Sequence, residues 1–236
     1  MERALRSLRA AGQLNLEGIR STPLPRLEAM IRSAGYFRQK ARRLKTFVAF
    51  LDQRYGGSLH RMFAQPTEKL RQELLALNGV GPETADSILL YAGQHPVFVV
   101  DAYTRRILGR HRILPANAPY EKIRFRFEQA LAQVEPEGQR FSRAEKVIPK
   151  KVASVAKSWN PRLAHTPSPM SRAKRSPLAQ IYNEMHGLIA GVGKNHCLKS
   201  KPKCDGCPLA RIPSQLQIRV AHDSVFKNRN TQEICG

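Results

Sequence analysis

The chain has 236 residues, with 40 Lys and Arg against 18 Asp and Glu, a formal net charge of +22. Hydrophobic residues make up 42%, enough for a core, which excludes wholesale disorder and leaves room for two compact domains, or one with a lobe. No run approaches the roughly 20 apolar residues of a membrane-spanning helix, and the N-terminus lacks a charged-then-apolar leader pattern. So large a positive charge calls for a polyanion. Nucleic acid comes before an anionic membrane surface, because no strongly apolar helix face accompanies the charge.

Residues 1–135 read as successive helices. Leu5, Leu8 and Ala11 share one face, then Leu24, Leu27, Met30 and Ile31 share the next, and Gly35 supplies a stop. From Tyr36 a long helix turns Ala41, Leu44, Phe47, Val48 and Leu51 inward and Arg38, Lys40, Arg42, Arg43 and Lys45 outward, ending at Gly56-Gly57. Thr67 is placed to cap a further helix carrying Leu70, Leu74, Leu75 and Leu77. No β-alternation is sustained, and Val97-Phe98-Val99-Val100 is either a short strand or a buried connection. The expected class is all-α.

Residues 136–177 read as a basic, low-complexity insert. Between 139 and 176 there are ten Lys or Arg against the single acid Glu145, with four prolines and six serines. Without an apolar period such a segment cannot offset its ordering entropy, so a disordered linker is expected, either a plain charged loop or a non-specific phosphate-binding arm. The helical pattern returns at Leu178, Ile181, Met185, Leu188 and Ile189 within residues 178–212, and residues 213–236 form an irregular tail.

The most informative stretch is Leu74-Leu75-Ala76-Leu77-Asn78-Gly79-Val80-Gly81-Pro82-Glu83-Thr84-Ala85-Asp86. Two glycines around one apolar residue permit a tight turn with positive φ and bare the backbone, so its N–H groups and the start of the next helix can face a phosphate. A plain helix-turn-helix corner has the same pattern. Asp101 follows the apolar run 97–100 and precedes Ala102-Tyr103-Thr104-Arg105-Arg106. An Asp there caps a helix, and a capped carboxylate is also a well-oriented catalytic one.

The cysteines are Cys197, Cys204, Cys207 and Cys235. A framework confined to the last forty residues is a poor disulfide scaffold, so a metal or cluster site in a reducing, intracellular (cytoplasmic) compartment is the better reading. Zinc held by three cysteines and His196 is an alternative.

Taken together, residues 79–101 and the cysteine loop resemble the helix-hairpin-helix glycosylase superfamily of base-excision repair, of the endonuclease III type. Tyr36-Phe37-Arg38-Gln39-Lys40-Ala41-Arg42-Arg43-Leu44 is similar to a further segment of that family. Glu83-Thr84-Ala85-Asp86-x-Ile88-Leu89 and Val99-Val100-Asp101-x-Tyr103 are similar to the branch with the 3-methyladenine DNA glycosylases. The resemblance covers about residues 1–135 and 178–212. It implies a two-lobed helical fold, with the hairpin at about 70–93, acting as a monomer on double-stranded DNA, with no membrane contact. Asn78, Gly79, Val80, Gly81, Pro82 and Thr84 would grip the backbone, with Lys40 and Lys199 as further contacts. The damaged nucleotide would be flipped out of the stack. Asp101 would be the catalytic carboxylate, and Cys197, Cys204 and Cys207 three ligands of a [4Fe–4S] cluster.

Several departures accompany the resemblance. The lysine with which lyase members form a Schiff base is replaced by Glu83, which suits a helix first turn and cannot form an imine. Simple hydrolysis of the base is therefore expected. The fourth cluster cysteine would fall at Pro213, leaving Cys235 as the remaining candidate and the cluster intact, incomplete or lost. Nothing matches the family's first helices, so the chain reads as a truncated or frame-disrupted product. A non-catalytic DNA-binding remnant is the rival to an active glycosylase. Of the smaller signals, Tyr103 reads as core or as a base-stacking ring, His95 and His111 as surface, Trp159 as a chance aromatic in the linker, and Tyr182, Asn183 and His186 as packing.

Overall fold

The computed structural model describes residues 2–132 and 175–210. Most of the expected insert, the tail, Trp159, Pro213 and Cys235 lie outside the described residues. Among the described residues the chain is helical and contains no strand. The helices are α1 (Glu2–Ala10), α2 (Leu16–Ser21), α3 (Leu24–Met30), α4 (Phe37–Tyr55), α5 (Leu59–Phe63), α6 (Thr67–Leu75), α7 (Pro82–Ser87), α8 (Ala102–Arg110), α9 (Tyr120–Ala132) and α10 (Pro177–Asn195). A 3₁₀ turn at Arg32–Ala34 precedes α4, and a wide π turn at Ile88–Ala92 extends α7.

Local chemistry sets many of the ends. Asn15 caps α2 by accepting from the Gly18 N–H at 2.7 Å, and Ser58 caps α5 through the Arg61 N–H at 3.2 Å. The long α4 stops where Gly56 takes φ 59. Thr67 departs from its expected role. Pro66 occupies the cap of α6, and the Thr67 hydroxyl instead meets His95 Nδ1 at 2.8 Å.

The described residues fall into two compact units, one within Met1–Val100 and Tyr120–Gly187 and the other within Asp101–Pro119 and Leu188–Gly236. Two apolar clusters of the first unit share α4. Ala41 and Val48 join Ala4, Leu8, Ile19, Leu27 and Ile31 in the N-terminal cluster. One turn further along, Phe50, Leu51 and Tyr55 join Met62, Leu70, Leu74, Ala85, Leu89 and Val97. The second cluster is therefore the floor beneath the α6–α7 corner.

Val97–Val100 is the buried connection, fully apolar and nearly without exposure. Its side chains pack in the unit: Phe98 stacks on Phe127 at 4.2 Å between centroids and meets Tyr182 edge-on at 6.0 Å. Its backbone has no partner strand. The alternate N–H groups of Phe98 and Val100 instead reach Glu128 Oε1 at 3.0 Å and the Tyr120 hydroxyl at 3.2 Å.

His95, expected at the surface, is half-buried and engaged by both ring nitrogens. Its Nε2 faces the Phe63 carbonyl at 3.1 Å and its Nδ1 the Thr67 hydroxyl, an arrangement that suits the neutral ring. Burial holds its pKa below the ordinary 6.5, with the Phe63 carbonyl acting weakly in the opposite sense. The unfolded chain therefore takes a proton first, and this contribution to stability is complete above 6.5 and is lost as pH falls below it. The urea midpoint is expected to drop between about pH 7 and about pH 5, and His95→Gln is expected to flatten that slope.

Candidate functional site

The corner between α6 and α7 is built by one glycine more than the other. Gly79 sits at φ +82, a conformation that strains any residue with a Cβ. Gly81 is extended at φ −91, so the expectation of a left-handed conformation holds for Gly79 alone. Gly81 then caps α7, with Pro82 in the first position and Glu83 in the first turn. The Val80 N–H closes the turn on the Leu77 carbonyl at 3.0 Å, and its side chain packs on the second apolar cluster. Asn78, Gly79, Gly81 and Thr84 are exposed. Among the described residues, the N–H groups of Gly79 and Gly81 have no hydrogen-bond acceptor.

A residue of the basic face of α4 completes this corner. The Arg43 side chain of α4 lies across Gly79, so a Cβ there would collide with its Nε and Cζ. Arg43 is exposed and, among the described residues, its guanidinium makes no hydrogen bond or ion pair. Lys40, expected to contact DNA, has a different engagement: its Nζ donates to the Ala34 carbonyl at 2.5 Å and closes the 3₁₀ turn. Tyr36, just before α4, is 83% exposed with φ 46. The signal for Arg43 was its place on the basic face of α4, which did not separate it from its neighbours.

Asp101 caps α8. Its Oδ1 accepts from the Thr104 N–H at 2.7 Å and from the Thr104 hydroxyl at 2.9 Å, and Thr104 is buried. Two bonds from one residue fix the carboxylate's rotation, so its orientation is set before any substrate arrives. Tyr103 is half-buried, packs on α10 at Gly193 and lies under Arg106, 5.1 Å from its guanidinium carbon.

The second unit ties α8 to the cysteine loop with arginines. Arg106 donates to the carbonyls of Gly193 at 2.9 Å and Cys197 at 2.7 Å. Arg110 donates to the carbonyls of Leu198 at 2.6 Å and Lys199 at 2.8 Å, and its Nη1 lies 3.3 Å from Cys197 Sγ. Lys199 is exposed. Cys197 is buried, Cys207 part-buried and Cys204 exposed, all three with free thiols. Among the described residues, no three His, Cys, Asp or Glu side chains come together as a metal site would require. The three thiols as placed do not form the donor set of a cubane cluster, which needs four thiolates converging on one centre.

Behind the corner lies a buried ionic group. Asp86 of α7 has no exposure and receives Arg71 of α6 through a two-pronged contact, Nε to Oδ1 at 2.7 Å and Nη2 to Oδ2 at 3.2 Å. The Tyr120 hydroxyl donates to Asp86 Oδ2 at 2.8 Å. Arg71 also reaches Glu121 at 2.6 Å, and Arg124 joins Glu121 at 2.8 Å to Glu128 at 3.0 Å. Burial works against the charge on Arg71, but its bonds to Asp86 and Glu121 hold its pKa above the usual arginine value. Burial and the adjacent Asp86 raise that of Tyr120, so its hydroxyl stays protonated as a donor.

Comparison with known proteins agrees with the helical fold. The family model described as the HhH-GPD superfamily base excision DNA repair protein matches residues 1–133. The chain belongs to that family. A Methanocaldococcus jannaschii protein provisionally named a DNA repair glycosylase is 33% identical over 89% of this chain and 75% of its own length. The endonuclease III-like protein 1 of Bos taurus is 26% identical over 86% of this chain, which spans half of that protein. Among solved structures, Helicobacter pylori 3-methyladenine DNA glycosylase bound to 1,N6-ethenoadenine superposes with a TM-score of 0.58 at 23% identity, over 81% of this chain and 75% of that one. A non-covalent endonuclease III–DNA complex gives 0.53 at 21%, over 87% and 72%. These two show the shared HhH-GPD fold.

The corner makes a direct prediction. Gly79→Ala is expected to lose about 1–2 kcal/mol of stability from its left-handed backbone and to displace Arg43. Urea unfolding checks the first effect, and weakened binding of duplex DNA by Gly79→Ala checks the second.

Proposed function

We propose that this chain is a DNA N-glycosylase that grips the sugar–phosphate backbone at the Gly79 corner and uses Asp101 to hydrolyse the glycosidic bond of a damaged, flipped-out base. The observation that carries this reading is the carboxylate of Asp101, held by Thr104 and set one residue after a rigid apolar run. Breaking the bond between C1′ and the base nitrogen builds positive charge on the sugar. A fixed anion beside it stabilises the transition state more than the ground state, and it can take a proton from the attacking water. The duplex would be engaged by the N–H groups of Gly79 and Gly81, by Thr84, and by the Arg43 guanidinium, which replaces Lys40 in this role. Asn78, Val80 and Pro82 shape the corner, and Lys199 adds charge on the second unit. Tyr36 offers a solvent-facing ring for a disturbed base stack.

The reaction on this reading ends at base release. At the position where a Schiff-base lysine would stand, Glu83 sits in the first turn of α7 and has no nucleophilic nitrogen. No step is assigned to an iron–sulfur cluster, since the described thiols do not converge.

Asp101→Asn is a clean test because Asn caps a helix about as well as Asp, so the variant removes the charge and keeps the cap. Base release from duplex DNA carrying methylated purines, or oxidised pyrimidines in a parallel arm, is expected to fall by at least roughly 10²-fold with binding retained. A variant as active as the parent would remove Asp101 from the chemistry. Binding without release by the parent protein itself would favour the DNA-binding remnant. Covalent capture of DNA by borohydride would show lyase chemistry.

A further inference from the structure

We infer that Tyr120, together with the buried Asp86–Arg71 pair, is a positioning clasp that holds the backbone from which Asp101 projects. This rests on the catalytic reading of Asp101. The first unit loses the chain after Val100 and regains it at Tyr120. Those two residues are bonded to each other, Val100 N–H to the Tyr120 hydroxyl at 3.2 Å. The residues that flank the excursion from Asp101 to Pro119 are thus joined through the Tyr120 phenol. That phenol has one proton and gives it to Asp86 Oδ2 at 2.8 Å, so the bond from Val100 falls on its oxygen lone pair. Asp86, in turn, cannot shift, because Arg71 takes both of its oxygens from within the unit. Val100 is in this way referred to a fixed carboxylate on α7, the helix that begins at the phosphate-gripping corner. One buried group orders both the corner's helix and the backbone next to the catalytic acid.

Two features indicate position rather than bulk stability. An ion pair this buried contributes little over well-packed apolar side chains, and such groups are best attested where they fix a register. Its partners also end on the backbone N–H groups of the connection, Phe98 through Glu128 and Val100 through Tyr120, where a sheet would have supplied a neighbouring strand. An extended segment without a ladder partner relies on such bonds for its hydrogen-bonded register.

Tyr120→Phe deletes the hydroxyl and keeps the ring. Tyr182→Phe is the matched control, since it removes another buried phenol of the same unit whose 3.4 Å bond goes to the Glu128 carbonyl. Amide exchange at Val100 is expected to rise about tenfold in Tyr120→Phe beyond any change shared by the other slowly exchanging amides of the unit, from the loss of one hydrogen bond. Single-turnover base release is expected to slow by between roughly 10-fold and 10²-fold, the effect of a small displacement of a reacting group. DNA affinity is expected to stay as in the parent, and Tyr182→Phe to alter neither readout. Unchanged exchange at Val100 would overturn the clasp whatever the activity. Faster exchange with an unchanged rate, or an equal rate loss in Tyr182→Phe, would overturn its positioning role. If the parent releases no base, the catalytic reading of Asp101 fails and the role falls with it, while exchange still decides whether the bond exists.

Discussion

A carboxylate without solvent is the constraint around which the first unit is arranged. Asp86 carries its charge at zero exposure, and leaving it unpaired would cost on the order of 3–5 kcal/mol. Arg71 must therefore lie where it does on α6, Tyr120 must begin α9 where it does, and α7 must present Asp86 inward beside Ala85 and Leu89. Each condition restricts a different helix. The apolar clusters supply most of the driving force for folding, but they tolerate sliding; a two-pronged guanidinium contact does not.

The exposed chemistry is arranged on what these buried groups leave rigid. At the corner, the absence of a side chain at Gly79 makes room for Arg43 and leaves amide protons facing outward. At α8, Thr104 orients Asp101 through two bonds while its own side chain is buried. Both sites are thus built from groups whose conformations are already set, so little order has to be imposed when a phosphate or sugar arrives.

Much of this was legible in the sequence, because the signals were local. The Gly-Val-Gly corner, Pro82 at the start of α7, the cap at Asp101 and the inward residues of α4 all follow from spacing, and the structure has them. What spacing does not encode is the choice among distant polar partners. Asp86 was visible as a motif letter, yet an acid next to the buried positions Ala85 and Leu89 was a signal that some cation must meet it; Arg71 and Tyr120, 15 and 34 residues away, could not be read from periodicity. Thr67 was assigned to a local cap and bonds His95 instead, 28 residues on. Lys40 and Arg43 looked equivalent on one basic face, and only packing distinguished the one turned back to Ala34 from the one laid over Gly79.

The internal engagements of the cations bear on how the protein would experience an electrolyte. Arg71, Arg106, Arg110, Arg124 and Lys40 each hold a carboxylate, a carbonyl or both, and groups so placed displace few condensed ions from a polyanion. Among the described residues, the logarithmic decline of DNA affinity with added salt should therefore be carried by the guanidinium and ammonium groups without an internal partner, Arg43 among them.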